Sequence, residues 1–130
     1  KEFDEDKLIF EGEYLNGLRN GKGKEYYEGE LIFEGEYLKD FKNGKGKEYS
    51  QGKLIFEGDY YSNKRWNGKG KEKKYDYGNN LIFEGEYLKG KWNGKGKEYN
   101  EKGDLIFEGE YSEGERWNGK GKKNMIIIII

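Results

Sequence analysis

A seven-residue segment with glycine at its fifth position restricts how this chain can fold more than any other feature. The segment reads LIFEGEY and begins at residues 8, 31, 81 and 105, and it reads LIFEGDY at residue 54. A second segment, NGKGK, begins at residues 20, 43, 67, 93 and 118. Recurrence at a fixed period of this size is typical of repeat proteins, in which each repeat is one supersecondary unit packed on its neighbours.

Each repeat is predicted to be a β-hairpin. LIFEGEYL is rich in the aromatic and branched residues that favour strands, and NGKGK begins a second strand. Turn-forming pairs separate the two, and several glycines per repeat disfavour a helix. The sequence therefore predicts the second half of a preceding repeat, five repeats and a C-terminal strand or tail, at 1–7, 8–30, 31–53, 54–80 with insertions, 81–104, 105–123 and 124–130.

The glycine inside each strand is predicted to be a socket for an aromatic ring. With the first hairpin centred between Gly17 and Leu18, Gly12 lies opposite Gly23 and Tyr14 opposite Gly21. On the other face, glutamates oppose lysines, as in Glu13 with Lys22 and Glu11 with Lys24, which stabilises the pairing. Glycine weakens a strand unless a neighbouring group occupies its space, so Phe and Tyr rings are expected to cover these positions.

Composition narrows the class of protein. The 130 residues are 39% charged and 17% aromatic, with a net charge of −1. Such a balanced charge gives no electrostatic reason to expect nucleic-acid binding. The apolar residues are concentrated in rings and in Leu and Ile, which favours a thin sheet over a compact core. The isoleucine run of the tail could cover the last hairpin edge, pair with a second copy, or be non-native sequence.

The sequence offers no catalytic set. It has no His and no Cys, so the commonest general base and thiol nucleophile are both missing. Its paired glutamates are expected to face lysines, which disfavours both acid–base catalysis and a metal site. We expect no catalytic residue, metal or cofactor, and the GKGK segments lack the Ser or Thr and the helix that a phosphate-binding loop needs.

Two motifs resemble those of the MORN (membrane occupation and recognition nexus) repeat family. Phe10–Tyr14 matches the opening Y/F-x-G-x-W/Y pattern, and Asn16–Gly23 matches the N-G-x-x-x-G-x-G pattern. Phe33–Tyr37 with Asn43–Gly46 repeats the match, and the later repeats match through Gly58, Gly70, Gly85, Gly96, Gly109 and Gly121. The chain departs from the family in having Asn where His is frequent and Tyr where Trp is usual.

The resemblance implies an all-β fold of tandem hairpins that form an elongated, twisted, single-layer antiparallel sheet. It also implies a non-enzymatic scaffold in the cytoplasm, at the cytoskeleton or a membrane, that binds proteins or a second copy of itself, end to end or as a dimer. An accessory region of a larger enzyme is an alternative.

The sequence predicts two surfaces that could bind a partner. Large rings are favoured anchors at protein interfaces. An aromatic groove is predicted at Tyr14, Tyr37, Tyr60, Trp66, Tyr87, Trp92, Tyr111 and Trp117. Most of these rings are expected to be structural, with the three tryptophans as the favoured contacts. The alternative is an anionic membrane lipid bound by Lys22, Lys24, Lys45, Lys47, Lys69, Lys71, Lys95 and Lys97, opposed by the facing glutamates.

Overall fold

The computed structural model describes residues 1–76, 79–117 and 126–127. The chain divides into a first unit, Lys1–Trp66, and a second unit, Asn67–Ile130. Residues 118–123, which complete the last predicted repeat and include Gly121, lie outside the described residues, and so does most of the predicted tail.

The first unit is an antiparallel sheet whose strands lie in sequence order. Each strand pairs with the next through a short turn, as the hairpin prediction requires. The strands are β1 (Glu2–Asp4), β2 (Lys7–Leu15), β3 (Leu18–Tyr27), β4 (Glu30–Leu38), β5 (Phe41–Ser50) and β6 (Lys53–Tyr61).

The second unit is built in the same way. Its strands are β7 (Lys64–Asp76), which begins just before the unit boundary, β8 (Asn79–Leu88), β9 (Lys91–Tyr99), β10 (Leu105–Ser112), β11 (Glu115–Trp117) and β12 (Ile126–Ile127). Strands β7 to β11 pair in sequence order, and β12 pairs with β10 at Phe107 and Glu108. The predicted all-β hairpin fold is confirmed, and part of the tail forms a strand.

The hairpins close through two-residue turns in which both central residues have positive φ. Asn16 and Gly17 have φ values of 53° and 80°, and Lys39 and Asp40 have 48° and 74°. Two positive φ values are the signature of type I′ turns, whose twist matches that of the flanking strands. The turn positions predicted within the repeats are confirmed at 16–17, 39–40, 89–90 and 113–114.

The predicted strand register is confirmed at the centre of the first hairpin but is wrong next to its turn. Gly12 pairs with Gly23 as predicted, but Tyr14 pairs with Arg19 and not with Gly21. The type I′ turn at Asn16 requires this closure, so β3 carries extra residues between the two pairs as a bulge. Gly21 adopts φ 96° in the bulge.

The same bulge changes the predicted charge pairing. The Glu13 carboxylate accepts a hydrogen bond of 2.7 Å from the Lys22 backbone N–H, so it satisfies the bulged backbone instead of facing the Lys22 side chain. Lys22 lies opposite Glu36 of the next hairpin. The other predicted pair, Glu11 with Lys24, is confirmed.

Aromatic rings fill the space above the second glycine of NGKGK, as predicted, whereas a Cβ atom built on Gly12 would first meet the backbone of the paired strand, 2.5 Å from the Lys22 carbonyl oxygen, and then the Phe10 ring at 2.9 Å. A Cβ atom built on Gly23 would lie 2.6 Å from the Phe10 ring and 3.0 Å from the Tyr37 ring. At Gly96, in the second unit, the Phe83 and Tyr111 rings would each lie 2.7 Å away. These distances are well below van der Waals contact, so the rings rest on bare backbone. Each socket is shared by rings of two consecutive repeats, which ties the repeats together.

Candidate functional site

Each sheet has an aromatic face, and its core is a recurring set of ring, cation and carboxylate. Because side chains alternate across a strand, Phe10, Gly12 and Tyr14 share this face. The Arg19 guanidinium carbon lies 4.1 Å from the centre of the Phe10 ring. Its Nη1 donates to the Glu25 carboxylate at 3.1 Å, and Glu25 also accepts the Tyr37 hydroxyl. The set therefore links two consecutive hairpins.

The same set recurs one repeat later around Glu48. Its carboxylate accepts hydrogen bonds from the Tyr60 hydroxyl and from Arg65 Nε at 2.9 Å. Burial opposes ionisation of Glu48, but the hydrogen bonds from Arg65 and Tyr60 outweigh it and hold the pKa below its ordinary value. Burial, together with the hydrogen bond to Glu48, raises the pKa of Tyr60, so its phenol stays protonated and donates.

The second unit keeps the carboxylate and exchanges one cation for a ring. Glu98 is fully buried and accepts hydrogen bonds from the Tyr111 hydroxyl and from Arg116 Nε, the latter at 2.8 Å. Trp92 follows the turn at the position that Arg19 holds in the first repeat, since each pairs with the Tyr of the preceding strand. Its indole stacks on Phe83 with ring centroids 3.9 Å apart and planes at 7°.

The structure places most of the predicted aromatic groove in the core. Tyr37, Tyr60, Tyr87, Trp92 and Tyr111 are each at most 8% exposed. Three of them, Tyr37, Tyr60 and Tyr111, are covered by the Phe of the preceding repeat and by the cation or indole beside that Phe. Tyr14 and Trp117 are 40% and 38% exposed, and Trp66 is half-buried. The aromatic face is therefore filled by the protein's own side chains at those five positions.

The three tryptophans are not equivalent, although all precede an NGKGK segment. Trp117 pairs with Glu110, which places it on the face opposite Tyr111. Trp66 packs on the neighbouring Tyr61, with ring centroids 5.1 Å apart. Repeats 54–80 and 105–123 carry one more residue here than 81–104, and Trp66 and Trp117 are those additional residues, whereas Trp92 belongs to the core.

The opposite, charged face of the first unit contains a groove of about 800 Å³. Its floor is the backbone of a row of strand glycines that runs across the sheet. Its walls are alternating carboxylates and lysines, with apolar stems below the charges. The lining comprises Gly12, Gly23, Gly35, Gly46 and Gly58 with Glu11, Lys22, Lys24, Glu34, Glu36, Lys45, Lys47 and Glu57.

The predicted lipid-contact lysines are interleaved with these carboxylates. Lys24 lies 3.7 Å from Glu34, and Lys45 lies 3.3 Å from Asp59. In the same way, Lys47, Lys71 and Lys97 lie 3.8, 3.5 and 3.7 Å from Glu57, Glu84 and Glu108. The remaining three, Lys22, Lys69 and Lys95, lie opposite Glu36, Glu86 and Glu110 in the strand register. Every member of the predicted lysine row thus has an acidic neighbour.

A row of exposed apolar side chains borders the groove on the side of the type I′ turns. Leu15 and Leu18 pair beside the first turn, and Leu38 and Phe41 pair beside the second. Strand alternation places these residues on the charged face. We call the following set the apolar turn row: Leu15, Leu18, Leu38, Phe41, Tyr61 and Trp66. Its members are 39–58% exposed apart from the half-buried Trp66.

Sequence reasoning missed the glutamates that accept the Tyr hydroxyls, of which Glu98 is buried and the other two are part-buried, and it missed the side chains that lock the turns. Glu25, Glu48 and Glu98 stand in KEY segments, and this recurrence was the available signal. The turns interlock because Asp40 accepts from the Arg19 N–H at 2.7 Å and Asn63 accepts from the Lys42 N–H at 2.8 Å. These contacts extend the link between consecutive hairpins from the core to the turns.

The sequence model of the MORN repeat matches residues 10–30, 33–53 and 83–105, together half of the chain. The chain belongs to the MORN repeat family. The matched repeats are those that lack the additional residue before NGKGK. Arrays of MORN repeats are interaction or scaffold modules, and the family is generally non-catalytic. No curated protein matches the chain.

Within the described residues, there is no group of three acidic side chains that could hold a metal ion. The same part of the chain forms no helix long and apolar enough to cross a membrane.

Proposed function

We propose that this MORN array is a non-enzymatic scaffold that binds a protein partner on the charged face of its first unit. The contact surface is the glycine-floored groove together with the apolar turn row. The observation that carries the proposal is the contrast between the two faces. The aromatic face is closed by its own Phe, Tyr and cationic side chains, whereas the charged face leaves apolar side chains in water beside a groove.

The apolar turn row supports a protein-binding role. Phe41 and Tyr61 are 51% and 57% exposed, and large rings and Leu that meet on one surface are typical of interaction sites. Of the tryptophans predicted as contacts, Trp66 belongs to this row. Tyr14, on the aromatic face, and Trp117, in the second unit, are partly exposed but do not belong to this contact surface.

An anionic lipid surface is the weaker alternative. Polybasic segments bind such membranes because several cations add their attraction. In the groove the lysines alternate with carboxylates, as Lys24 with Glu34 and Lys47 with Glu57. The alternation cancels the field that would draw the chain to a charged membrane, so the arrangement favours a partner whose own charges alternate.

A pull-down comparison tests the scaffold function. The immobilised chain, its Tyr61→Ser/Trp66→Ala variant and its Leu88→Ser variant are exposed to an extract of the source cells. Leu88 is 49% exposed in the second unit and provides the matched control. We expect the same proteins to bind the wild type and the control and to be lost from the double variant. An unchanged set of bound proteins, with circular dichroism unchanged, would contradict the proposed surface.

A further inference from the structure

We propose that the partner segment is an amphipathic α-helix that lies across the strands of the first unit. Its apolar stripe rests on the apolar turn row, and its charged flank lies over the groove. This proposal rests on the scaffold function proposed above and assigns the chemistry of the bound segment. Three observations support it. Another hairpin of the chain closes without an apolar pair, the residues of the apolar turn row recur at a spacing that fits a helix, and the charges beside the row alternate in sign.

The apolar turn row is not needed to close a hairpin. The hairpin of β10 and β11 closes through the same type of turn, with Ser112 paired to Glu115 where the first two repeats have apolar pairs. Glu113 and Gly114 have φ values of 55° and 85°, as in the other turns. The chain thus contains its own polar version of this position, and the exposed Leu and Phe pairs of the first unit serve something other than the fold.

The spacing of the row matches a helix with one apolar contact per seven residues. Leu15, Leu38 and Tyr61 lie on alternate strands, and adjacent strands are about 4.8 Å apart, so equivalent side chains recur about every 9.6 Å. Seven helical residues advance about 10.5 Å at 1.5 Å per residue. The difference accumulates to about 2 Å over three hairpins, which side-chain rotamers can absorb. An extended strand parallel to the row would advance about 3.3 Å per residue with alternate residues facing the sheet, and it would not select Leu and Phe pairs at this period.

The charges next to the row repeat with the same period. Lys22 pairs with Glu36 and Lys45 with Asp59, and the Glu13 and Glu36 carboxylates lie at the backbone N–H groups of Lys22 and Lys45, so the signs alternate from strand to strand, about every 4.8 Å. Residues three and four apart on a helix are separated by about 5–6 Å. A helix whose groove-facing flank alternates Lys and Glu every three to four residues therefore meets an opposite charge at each strand. A helix with the reverse order of charges would place like charges together and would be repelled. The charged residues beside the apolar turn row therefore select the order of charges on the bound helix, in addition to its apolar stripe.

A designed peptide tests the inference without knowledge of the natural partner. The probe is a fluorescently labelled, 21-residue helical peptide of three heptads with two Leu per heptad. Lys and Glu alternate along one flank, and its length of about 31 Å spans six strands. Fluorescence anisotropy measures its binding to the intact chain. We expect saturable binding that weakens at least tenfold for Leu38→Ser/Phe41→Glu, the pair that repeat 105–123 carries, and that is unchanged for Leu88→Ser.

Several outcomes would overturn the helix. Equal affinity of the Leu38→Ser/Phe41→Glu variant and the wild type would do so, as would equal binding of a peptide whose Leu residues are replaced by Ser. Co-sedimentation with phosphatidylserine vesicles that depends on the row, without peptide binding, would assign the surface to a membrane. Light scattering that shows self-association lost in the variant, again without peptide binding, would assign it to a second copy. Loss of partners in the pull-down without peptide binding would leave the scaffold intact and reject the helix alone.

Discussion

Each unit has its own core of the same design, and the units differ in the residues that surround that core. In both, a Phe and a Tyr of the next repeat cover a glycine, and a Glu accepts the Tyr hydroxyl: the part-buried Glu25 in the first unit and the fully buried Glu98 in the second. The first unit places Arg19 or Lys42 over the Phe ring, whereas the second unit stacks Trp92 on Phe83 and keeps a cation, Arg116, over its other Phe ring. The fold therefore requires the ring, the glycine and the carboxylate, and it accepts either a cation or an indole beside them.

The turn-flanking positions differ more sharply between the units. Leu15 with Leu18 and Leu38 with Phe41 are replaced in the second unit by Leu88 with Lys91 and by Ser112 with Glu115. Because the backbone closes in the same way at all these turns, the difference affects the surface and not the fold. The comparison separates residues that hold the array together from those available to a partner.

The largest effect is expected at Trp92, where the second unit departs from the cationic design. Trp92→Ala removes a buried indole stacked on Phe83 and should lower the free energy of unfolding by about 3–5 kcal/mol. Lys42→Ala, at the equivalent position in the first unit, should cost about 1 kcal/mol, since it removes a cation 4.3 Å from the Phe33 ring. Urea unfolding followed by circular dichroism measures both.

Trp92→Arg provides the control for this comparison, because it introduces the residue that the first repeat carries there. It should recover part of the stability that Trp92→Ala loses. Equal losses for Trp92→Ala and Lys42→Ala would show that the indole contributes no more than the cation.

The glycine sockets should respond equally in both units. Gly46→Ala and Gly96→Ala each place a Cβ atom within 2.8 Å of two rings, and each should cost about 1–3 kcal/mol through overpacking. Gly52, in an open turn, has φ 77° and no atom within 4 Å of a built Cβ, so Gly52→Ala should cost about 1 kcal/mol from backbone strain alone. Thermal unfolding ranks the three. A socket variant as stable as Gly52→Ala would mean that the rings move aside.

The sequence predicted the fold well because its strongest signals are periodic and local. The hairpins, the turn at Asn16–Gly17 and the pairing of Gly12 with Gly23 all follow from recurrence and strand alternation. The bulge at Gly21 could not be predicted in this way. It arises because the two-residue turn and the pairing of Gly12 with Gly23 require different registers, and the bulge accommodates both. That conflict is resolved by backbone geometry and not by residue type.

The exposure of the predicted groove rings follows from the sequence less directly than the fold does. The aromatic residues of the sequence do not show which rings are exposed for binding, because the same rings must also form the core. Tyr37 and Tyr60 are buried for that reason. The equivalence of Trp92 with Arg19 is hidden because a stacked indole and a cation have no chemical similarity in the sequence. The apolar turn row becomes apparent only once Leu38 and Phe41 are placed on the charged face.

Acid should weaken the first unit through Glu48. Because the pKa of Glu48 is lowered by folding, its ionised carboxylate stabilises the folded state fully at pH values above 4.5, the ordinary pKa of the group. This contribution is lost as the pH falls from 4.5 through the folded-state pKa. Glu48→Gln keeps an oxygen for the Tyr60 hydroxyl but does not titrate. Urea midpoints at pH 7 and pH 3 should therefore differ less in the variant than in the wild type. Parallel decreases in the two proteins would exclude Glu48 as the titrating group.

The smallest effect on stability is expected where the units differ most on the surface. Leu38→Ser/Phe41→Glu gives the second hairpin the polar pair of β10 and β11, and both side chains are about half exposed, so the free energy of unfolding should change by about 0.5 kcal/mol or less. The reciprocal variant, Ser112→Leu/Glu115→Phe, should also be nearly neutral. Calorimetric unfolding of both variants checks this. A loss above about 2 kcal/mol in the first variant alone would mean that the apolar pair packs for stability, and the contrast between a required core and a dispensable apolar surface would then fail in the first unit.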